Sequence, residues 1–256
     1  MSKKSLQSKK IRISNNGRIE LPIVQQSPED PLSNYALDML RMRPTNTRLG
    51  TVLLEMEVMA AREQVPIIGP LEGAVIQALL QLRQPPPRKV LDIGTAIGYS
   101  ALCLARTLPQ EAQIISIEID PQRAGLARHF IEKAGLQSRI QVIVGDVMEL
   151  LPKIDNEFDI IFQDVIKHVY FGADASLALQ LLESCLDHLA DNGVLLGDNA
   201  FCMGEVLHNR SDELPAQIVG IQAYNKKVAA HPQLNSVIIP VRDGLWVSHK
   251  RKRRAA

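Results

Sequence analysis

Cysteine is scarce in this chain: Cys103, Cys185 and Cys202 stand apart from one another in 256 residues. An odd number without C-x-x-C spacing excludes a disulfide framework and a cysteine zinc site, and it fits a reducing compartment. No apolar run is long enough to span a bilayer, and the basic start lacks the apolar stretch of a signal peptide. A soluble, cytoplasmic protein with no membrane partner is therefore expected. Internal repeats and low-complexity blocks are missing as well, which excludes solenoid and propeller architectures. Acidic residues are absent from both ends, where residues 1–12 hold five Lys/Arg and residues 250–254 hold five more. All 28 Asp/Glu lie between them, so a net charge of +1 conceals an acidic body with basic ends. Such ends are solvated segments or contacts for nucleic acid or an anionic surface.

The chain is punctuated as an alternating α/β protein. Residues 1–31 are polar, with Asn15-Asn16-Gly17 and Ser27-Pro28-Glu29-Asp30-Pro31 as turn and breaker signals, and they read as an extension. From Leu32 to Leu82 apolar residues recur at helical spacing, with interruptions at Arg43-Pro44 and Val65-Pro66. Three or so helices capping a sheet are predicted there. Beyond Gln84-Pro85-Pro86-Pro87, apolar runs near 88–93, 112–118, 139–144, 158–163 and 193–197 alternate with helical segments around 98–108, 121–134, 147–152 and 175–190. That alternation makes a parallel, doubly wound sheet. Runs over 236–241 and 245–248 flank Asp243-Gly244, which predicts an antiparallel hairpin with a two-residue turn closing the sheet. One domain over 32–249 with a basic tail over 250–256 accounts for the length.

The stretch Val90-Leu91-Asp92-Ile93-Gly94-Thr95-Ala96-Ile97-Gly98-Tyr99-Ser100 carries an apolar strand into a glycine-bearing turn and then a helix. In an open α/β sheet this is where a nucleoside-containing cofactor binds. A dinucleotide fingerprint would place glycine at position 96, letting backbone approach a pyrophosphate. Ala96 stands there, which favours a ligand without pyrophosphate. The next strand ends in Glu118, a carboxylate able to accept hydrogen bonds from both ribose hydroxyls. S-adenosylmethionine meets both conditions.

Ligands in such sheets lie beyond the carboxyl ends of the strands, and two further strands deliver acids to that edge. The run over 158–163 leads to Asp164, and the run over 193–197 leads to Asp198-Asn199. Each Asp alone would serve equally well as a helix or turn cap. Their joint placement after consecutive strands is what points to a site. Three oxygen donors without histidine or thiolate suit Mg²⁺, with Mn²⁺ or Ca²⁺ as alternatives, and disfavour zinc. Lys167, three residues past Asp164, would have a depressed pKa beside a divalent cation and could act as a general base. Tyr99, otherwise a packing aromatic, could face the sulfonium.

Asp164-Val165-Ile166-Lys167-His168-Val169-Tyr170 resembles the D-x-x-K-x-x-Y segment of the cation-dependent O-methyltransferases, the family that includes catechol and caffeoyl-CoA O-methyltransferases. Asp198-Asn199 resembles their second metal motif, and Ile117-Glu118-Ile119-Asp120 their ribose-binding strand end. The resemblance runs from about residue 35 to the C-terminus. It implies a Rossmann-like, mostly parallel seven-stranded sheet and S-adenosylmethionine as methyl donor. It also implies a homodimer, Asp164, Asp198 and Asn199 as metal ligands, and Asp164 and Lys167 as catalytic residues with Lys167 the base. By the same resemblance Asp92, Gly94, Thr95, Ser100 and Glu118 hold the cofactor, Asp146 and Val147 lie near its adenine, and Ile68 lies near its methionine part.

Within the family, Val65-Pro66-Ile67-Ile68, the 94–100 turn, Tyr224-Asn225, His231-Pro232 and Ile238-Ile239-Pro240-Val241 followed by Asp243-Gly244-Leu245 are similar to the branch that methylates 5-hydroxyuridine in bacterial tRNA. Two acceptor classes follow: a catechol-like small molecule, expected first because that class is broader, and wobble-position 5-hydroxyuridine in tRNA. Three features depart from the commonest family pattern. Gln163 stands where an apolar residue usually precedes the metal Asp, Asp92 replaces Glu, and Val165-Ile166 are bulkier than the usual pair. An altered acceptor shape is expected from them.

Overall fold

Strand burial alternates on two faces of a central sheet, and that alternation places everything else. In β3 (Lys89–Ile93), Val90 packs into one apolar core while Leu91 and Ile93 pack into the other. β6 (Phe158–Gln163) behaves likewise, with Ile160 and Phe162 on the first face and Phe158 and Ile161 on the second. Strands buried on both faces read as continuous apolar runs, which is why they stand out in the sequence. The computed structural model describes residues 12–13, 19–20, 31–42, 47–165, 176–207 and 216–252. Most of the expected extension therefore lies outside the described residues, apart from an antiparallel pairing of β1 (Arg12–Ile13) with β2 (Ile19–Glu20).

The remaining strands are β4 (Gln113–Glu118), β5 (Ile140–Val144), β7 (Leu189–Gly197), β8 (Leu234–Ile239) and β9 (Leu245–Lys250). They form a seven-stranded sheet in the order β5-β4-β3-β6-β7-β9-β8. The first five positions are parallel, and β9 joins β7 antiparallel with β8 outside it. Strand order reverses between β3 and β6, so the crevice of a doubly wound sheet opens at their carboxyl ends.

Three helices precede the sheet as expected: α1 (Pro31–Arg41), α2 (Arg48–Glu63) and α3 (Gly69–Gln81). Thr47 caps α2 by accepting from Gly50 N at 3.0 Å. α2 and α3 join α4 (Tyr99–Ala105) and α5 (Pro121–Ala134) on one face of the sheet. α5 is bounded by residues suited to their places. Asp120 accepts from Gln122 N and Arg123 N, Pro121 opens the first turn, and Gly135 ends the helix at φ +75°. The other face holds α6 (Val147–Leu150), α7 (Ser176–His188) and α8 (Ala216–Ala230).

Several boundaries differ from expectation. β7 begins at Leu189 rather than 193, because Asp191-Asn192-Gly193 form an irregular polar stretch with Asn192 at φ +61° that hides the start of the strand. α8 is a further helix beyond those expected, with Ile218, Ile221, Tyr224 and Val228 buried at near-helical spacing on it. The C-terminal hairpin pairs Ile239 with Leu245, so its loop has five residues rather than a two-residue turn. Lys250, grouped by charge with the basic tail, is instead the last residue of β9 and is 4% exposed. Its ammonium donates to the carbonyl of Leu186 at 2.7 Å and to that of Leu189, where α7 ends. A cation at a helix C-terminus is favoured by the helix dipole as well as by those hydrogen bonds.

Candidate active site

The loops after β3, β6 and β7 are laced together in strand order. Asp164 N donates to Ile93 O at 2.9 Å, and Asp198 N donates to Gln163 O at 3.1 Å. The turn after β3 is tied to β4, since Gly94 N and Thr95 N both donate to Ile117 O. Ala96 has φ +47° and donates its N–H to Glu118 Oε2 at 2.8 Å. Glu118 Oε1 accepts from Asp120 N at 3.0 Å. Each carboxylate oxygen has a further lone pair, so Glu118 retains capacity for two hydroxyl donors.

Two cavities open on this edge and share a wall. The first, about 260 Å³, is lined by Gly94, Ala96, Glu118, Gly145, Val147 and Asp164, among others. The second, about 320 Å³, is lined by Glu72, Asp198, Cys202, Met203, Arg242 and Asp243, among others. Pro66, Asp164 and Asn199 line both. Asp164 and Asn199 thus stand where the two cavities meet, with Asp198 beside them on the second cavity.

The expected cofactor residues divide into two groups. Gly94, Glu118 and Val147 line the first cavity. Asp146 sits beside it as the cap of α6, accepting from Met148 N at 2.8 Å. Asp92, Thr95, Tyr99, Ser100 and Ile68 are buried and line neither cavity. In place of Ile68, the neighbouring Pro66 borders both cavities and Ile67 the second. Tyr99 turns away from the crevice, its hydroxyl donating to Glu57 Oε1 at 2.7 Å. Asp92 accepts from the hydroxyls of Ser116 and Ser100 beneath the turn. Burial raises its pKa above 3.8, against the lowering effect of the hydrogen bonds from Ser116 and Ser100. Asp92 therefore braces the turn from inside. Lys167 lies outside the described residues.

Glu72, on the first turn of α3, is absent from the expected set. It is 1% exposed, and its Oε1 has no hydrogen-bond partner among the described residues. Burial, and next the charge of Asp198, hold this carboxyl well above the usual range, with Arg242 opposing and Asp164 adding to the rise. The donors at this wall fit a hard divalent cation in their chemistry: carboxylates of Asp164 and Asp198, the amide of Asn199, and an orphaned buried carboxyl oxygen alongside. Among the described residues, no three His, Cys, Asp or Glu side chains form a ready-made metal cluster. Asn199 Nδ2 donates to Asp198 Oδ2 at 2.8 Å.

α8 supports this wall. Tyr224 donates its hydroxyl to Gln163 Oε1 at 3.2 Å, which satisfies the amide oxygen of the polar residue preceding Asp164. Asn225 donates to Ala200 O at 2.8 Å and accepts from Trp246 Nε1 at 2.7 Å, holding the loop after β7 against β9. Four of the seven non-glycine residues with positive φ among the described residues, Asn199, Cys202, Met203 and Arg242, line the second cavity. Backbone strain of this kind concentrates at functional sites.

The O-methyltransferase family profile matches residues 47–251. A catechol O-methyltransferase of Niastella koreensis is 30% identical over 176 residues, 67% of this chain and 74% of that protein. A caffeoyl-CoA O-methyltransferase of Stellaria longipes is 26% identical over 180 residues, 69% of this chain and 73% of that protein. Among solved structures, an O-methyltransferase from Bacillus cereus in complex with SAH superposes with a TM-score of 0.70 at 27% identity, covering 86% of this chain and 97% of that one.

Proposed function

The chain belongs to the O-methyltransferase family, and we propose that it uses S-adenosylmethionine and a divalent cation, Mg²⁺ first, to methylate one hydroxyl of a catechol-like small molecule. The observation that carries this reading is the shared wall: Asp164 and Asn199 border both the cavity beside Glu118 and the cavity beside Asp198. A methyl donor on one side and an oxygen acceptor on the other would meet there. When bound, the cofactor supplies an already activated methyl group, and the cation lowers the pKa of the acceptor hydroxyl.

The chain's own groups do the rest. Glu118 receives the ribose hydroxyls, and Ala96 and Gly94 shape the floor beneath them. Asp164, Asp198 and Asn199 would hold the cation, whose charge would act on the acceptor hydroxyl. Lys167, three residues beyond Asp164, removes the hydroxyl proton, and alignment of the oxyanion with the methyl group supplies most of the remaining rate. The second cavity, about 320 Å³, is at the small end of ligand pockets and suits a single-ring diol.

A second acceptor, 5-hydroxyuridine in tRNA, is favoured by the basic residues at both ends of the chain, of which Arg251 and Lys252 are exposed beyond β9. Labelled-methyl transfer from S-adenosylmethionine with Mg²⁺ to catechol and to tRNA carrying unmethylated 5-hydroxyuridine, each with and without EDTA, separates the two. Metal-dependent label in catechol alone supports the first reading, and label in tRNA the second. Full activity in EDTA removes the cation.

A homodimer is the proposed assembly. Leu32, Tyr35, Met39 and Met42 form an exposed apolar stripe at helical spacing along α1 and just past its end, which supports self-association. A monomeric mass by light scattering at micromolar concentration would exclude it.

A further inference from the structure

We propose that Arg242 is a specificity residue that selects acceptors carrying a carboxylate beside the reacting diol. The inference rests on the second cavity being the acceptor site. Arg242 lines that cavity and not the one beside Glu118, so its guanidinium belongs to the acceptor side. It lies in the five-residue loop between β8 and β9, and it holds φ +50°, a conformation that favours glycine. An arginine kept there at a strain cost implies a use for the side chain.

The surroundings are shaped to receive the guanidinium. A Cβ on Gly69 would stand 2.6 Å from Arg242 Nη1 and 3.2 Å from Cζ, so the guanidinium packs directly against this glycine. Nη1 donates to Ile67 O at 2.8 Å, which anchors that end of the group. Among the described residues no acceptor is bonded to Nη2 or Nε, and no carboxylate forms an ion pair with the guanidinium. The loop itself is pinned from the opposite side, because Met203 N donates to Asp243 Oδ1 and Phe201 N to Asp243 O. A planar, half-buried guanidinium anchored at one end with donors to spare is suited to a carboxylate. Asp164, Asp198 and Asp243 around the same cavity disfavour a phosphate dianion over a carboxylate monoanion.

The test compares 3,4-dihydroxybenzoate with 3,4-dihydroxybenzyl alcohol, its neutral counterpart of similar size, in wild-type protein and in Arg242→Gly, a change that the backbone conformation accommodates. Wild type is expected to favour the acid in kcat/KM by about 10- to 100-fold, the range of one or two charge-assisted hydrogen bonds. In Arg242→Gly that ratio is expected to fall to near unity through KM, with Arg242→Lys in between. A wild-type ratio near unity, or a preference that persists in Arg242→Gly, would overturn the assignment. A binding arm separates this failure from failure of the acceptor reading. If neither diol is methylated, benzoate and benzyl alcohol are titrated calorimetrically into protein saturated with S-adenosylhomocysteine. Tighter binding of benzoate that disappears in Arg242→Gly still supports the anion site, and equal binding rejects it.

Discussion

A Cβ on Gly94 would stand 1.9 Å from the carbonyl oxygen of Asp164. The turn after β3 and the loop after β6 thus touch backbone to backbone, and the position of Asp164 depends on the absence of a side chain at residue 94. Gly94 also has φ +86°, so substitution meets conformational strain as well as collision. Gly94→Ala is expected to lose at least about 2 kcal/mol of stability, within the range for strained or overpacked sites, and to lose most activity. Gly125→Ala is the control. Nothing lies within 4 Å of the added Cβ there, inside α5, and the change should stabilise by about 0.5–1 kcal/mol in urea denaturation.

Lys167→Ala should lower kcat by about 10²- to 10⁴-fold while leaving S-adenosylmethionine binding intact, the usual range for a lost general base. Rapid-quench methyl transfer with calorimetric cofactor binding measures both. An unchanged kcat would remove Lys167 from the mechanism.

Asp198→Ala should weaken binding of Mn²⁺, used as a paramagnetic probe, by at least about tenfold, and should abolish Mg²⁺-stimulated transfer. Loss of a carboxylate from a hard-cation site has this effect because few ligands share the charge. Water-proton relaxation reads the affinity without any acceptor present. Equal Mn²⁺ affinity in the variant would place the cation elsewhere.

Asp92 gives a pH signature. Its folded-state pKa is raised above 3.8, chiefly by burial, so between 3.8 and the folded value the native state holds a proton that the unfolded state has released. Stability therefore falls as pH rises through that window and then stays lower. In Asp92→Asn, which keeps an acceptor for the Ser100 and Ser116 hydroxyls, this contribution disappears. Unfolding free energies of the two proteins should diverge in the variant's favour as pH is raised above 3.8 through that window, and then keep a constant separation at higher pH. Parallel curves would show that Asp92 is not titrating.

Lys250→Met should destabilise by roughly 1–3 kcal/mol, because the carbonyls of Leu186 and Leu189 would lose a buried donor. Arg251→Ser with Lys252→Ser, both exposed, should have no measurable effect on stability and should reduce any salt-sensitive tRNA binding. Guanidinium unfolding and filter binding distinguish the roles.

The parallel part of the fold was legible because its strands are buried on both faces and its helices carry ordinary caps, as Asp120 and Gly135 do for α5. Asp164, Asp198, Asn199 and Glu118 were legible as a group because each ends a recognisable strand or begins the loop after one. What escaped was set by tertiary contact. Glu72 reads as an ordinary charged residue of α3 until α3 is laid against the loops holding Asp164 and Asp198. Arg242 looks like a residue beside a turn until Gly69, far away in sequence, gives its guanidinium a bed. Tyr99 reads as a crevice aromatic, yet its partner is Glu57 on α2, a choice made by helix packing. Gln163 departs from an apolar pattern without a visible reason until α8 brings Tyr224 to it.

β9 follows every other strand of the sheet along the chain but occupies a place between β7 and β8. A nascent polypeptide ending before residue 245 would have β7 as an open edge and α8 without Trp246 to hold Asn225, so the loop bearing Asp198 and Asn199 would be braced on one side only. Bracing of that loop from its second side therefore waits on residues 245–250. β8 pairs in the sheet through β9, so the edge beyond β7 stays incomplete until that strand is in place.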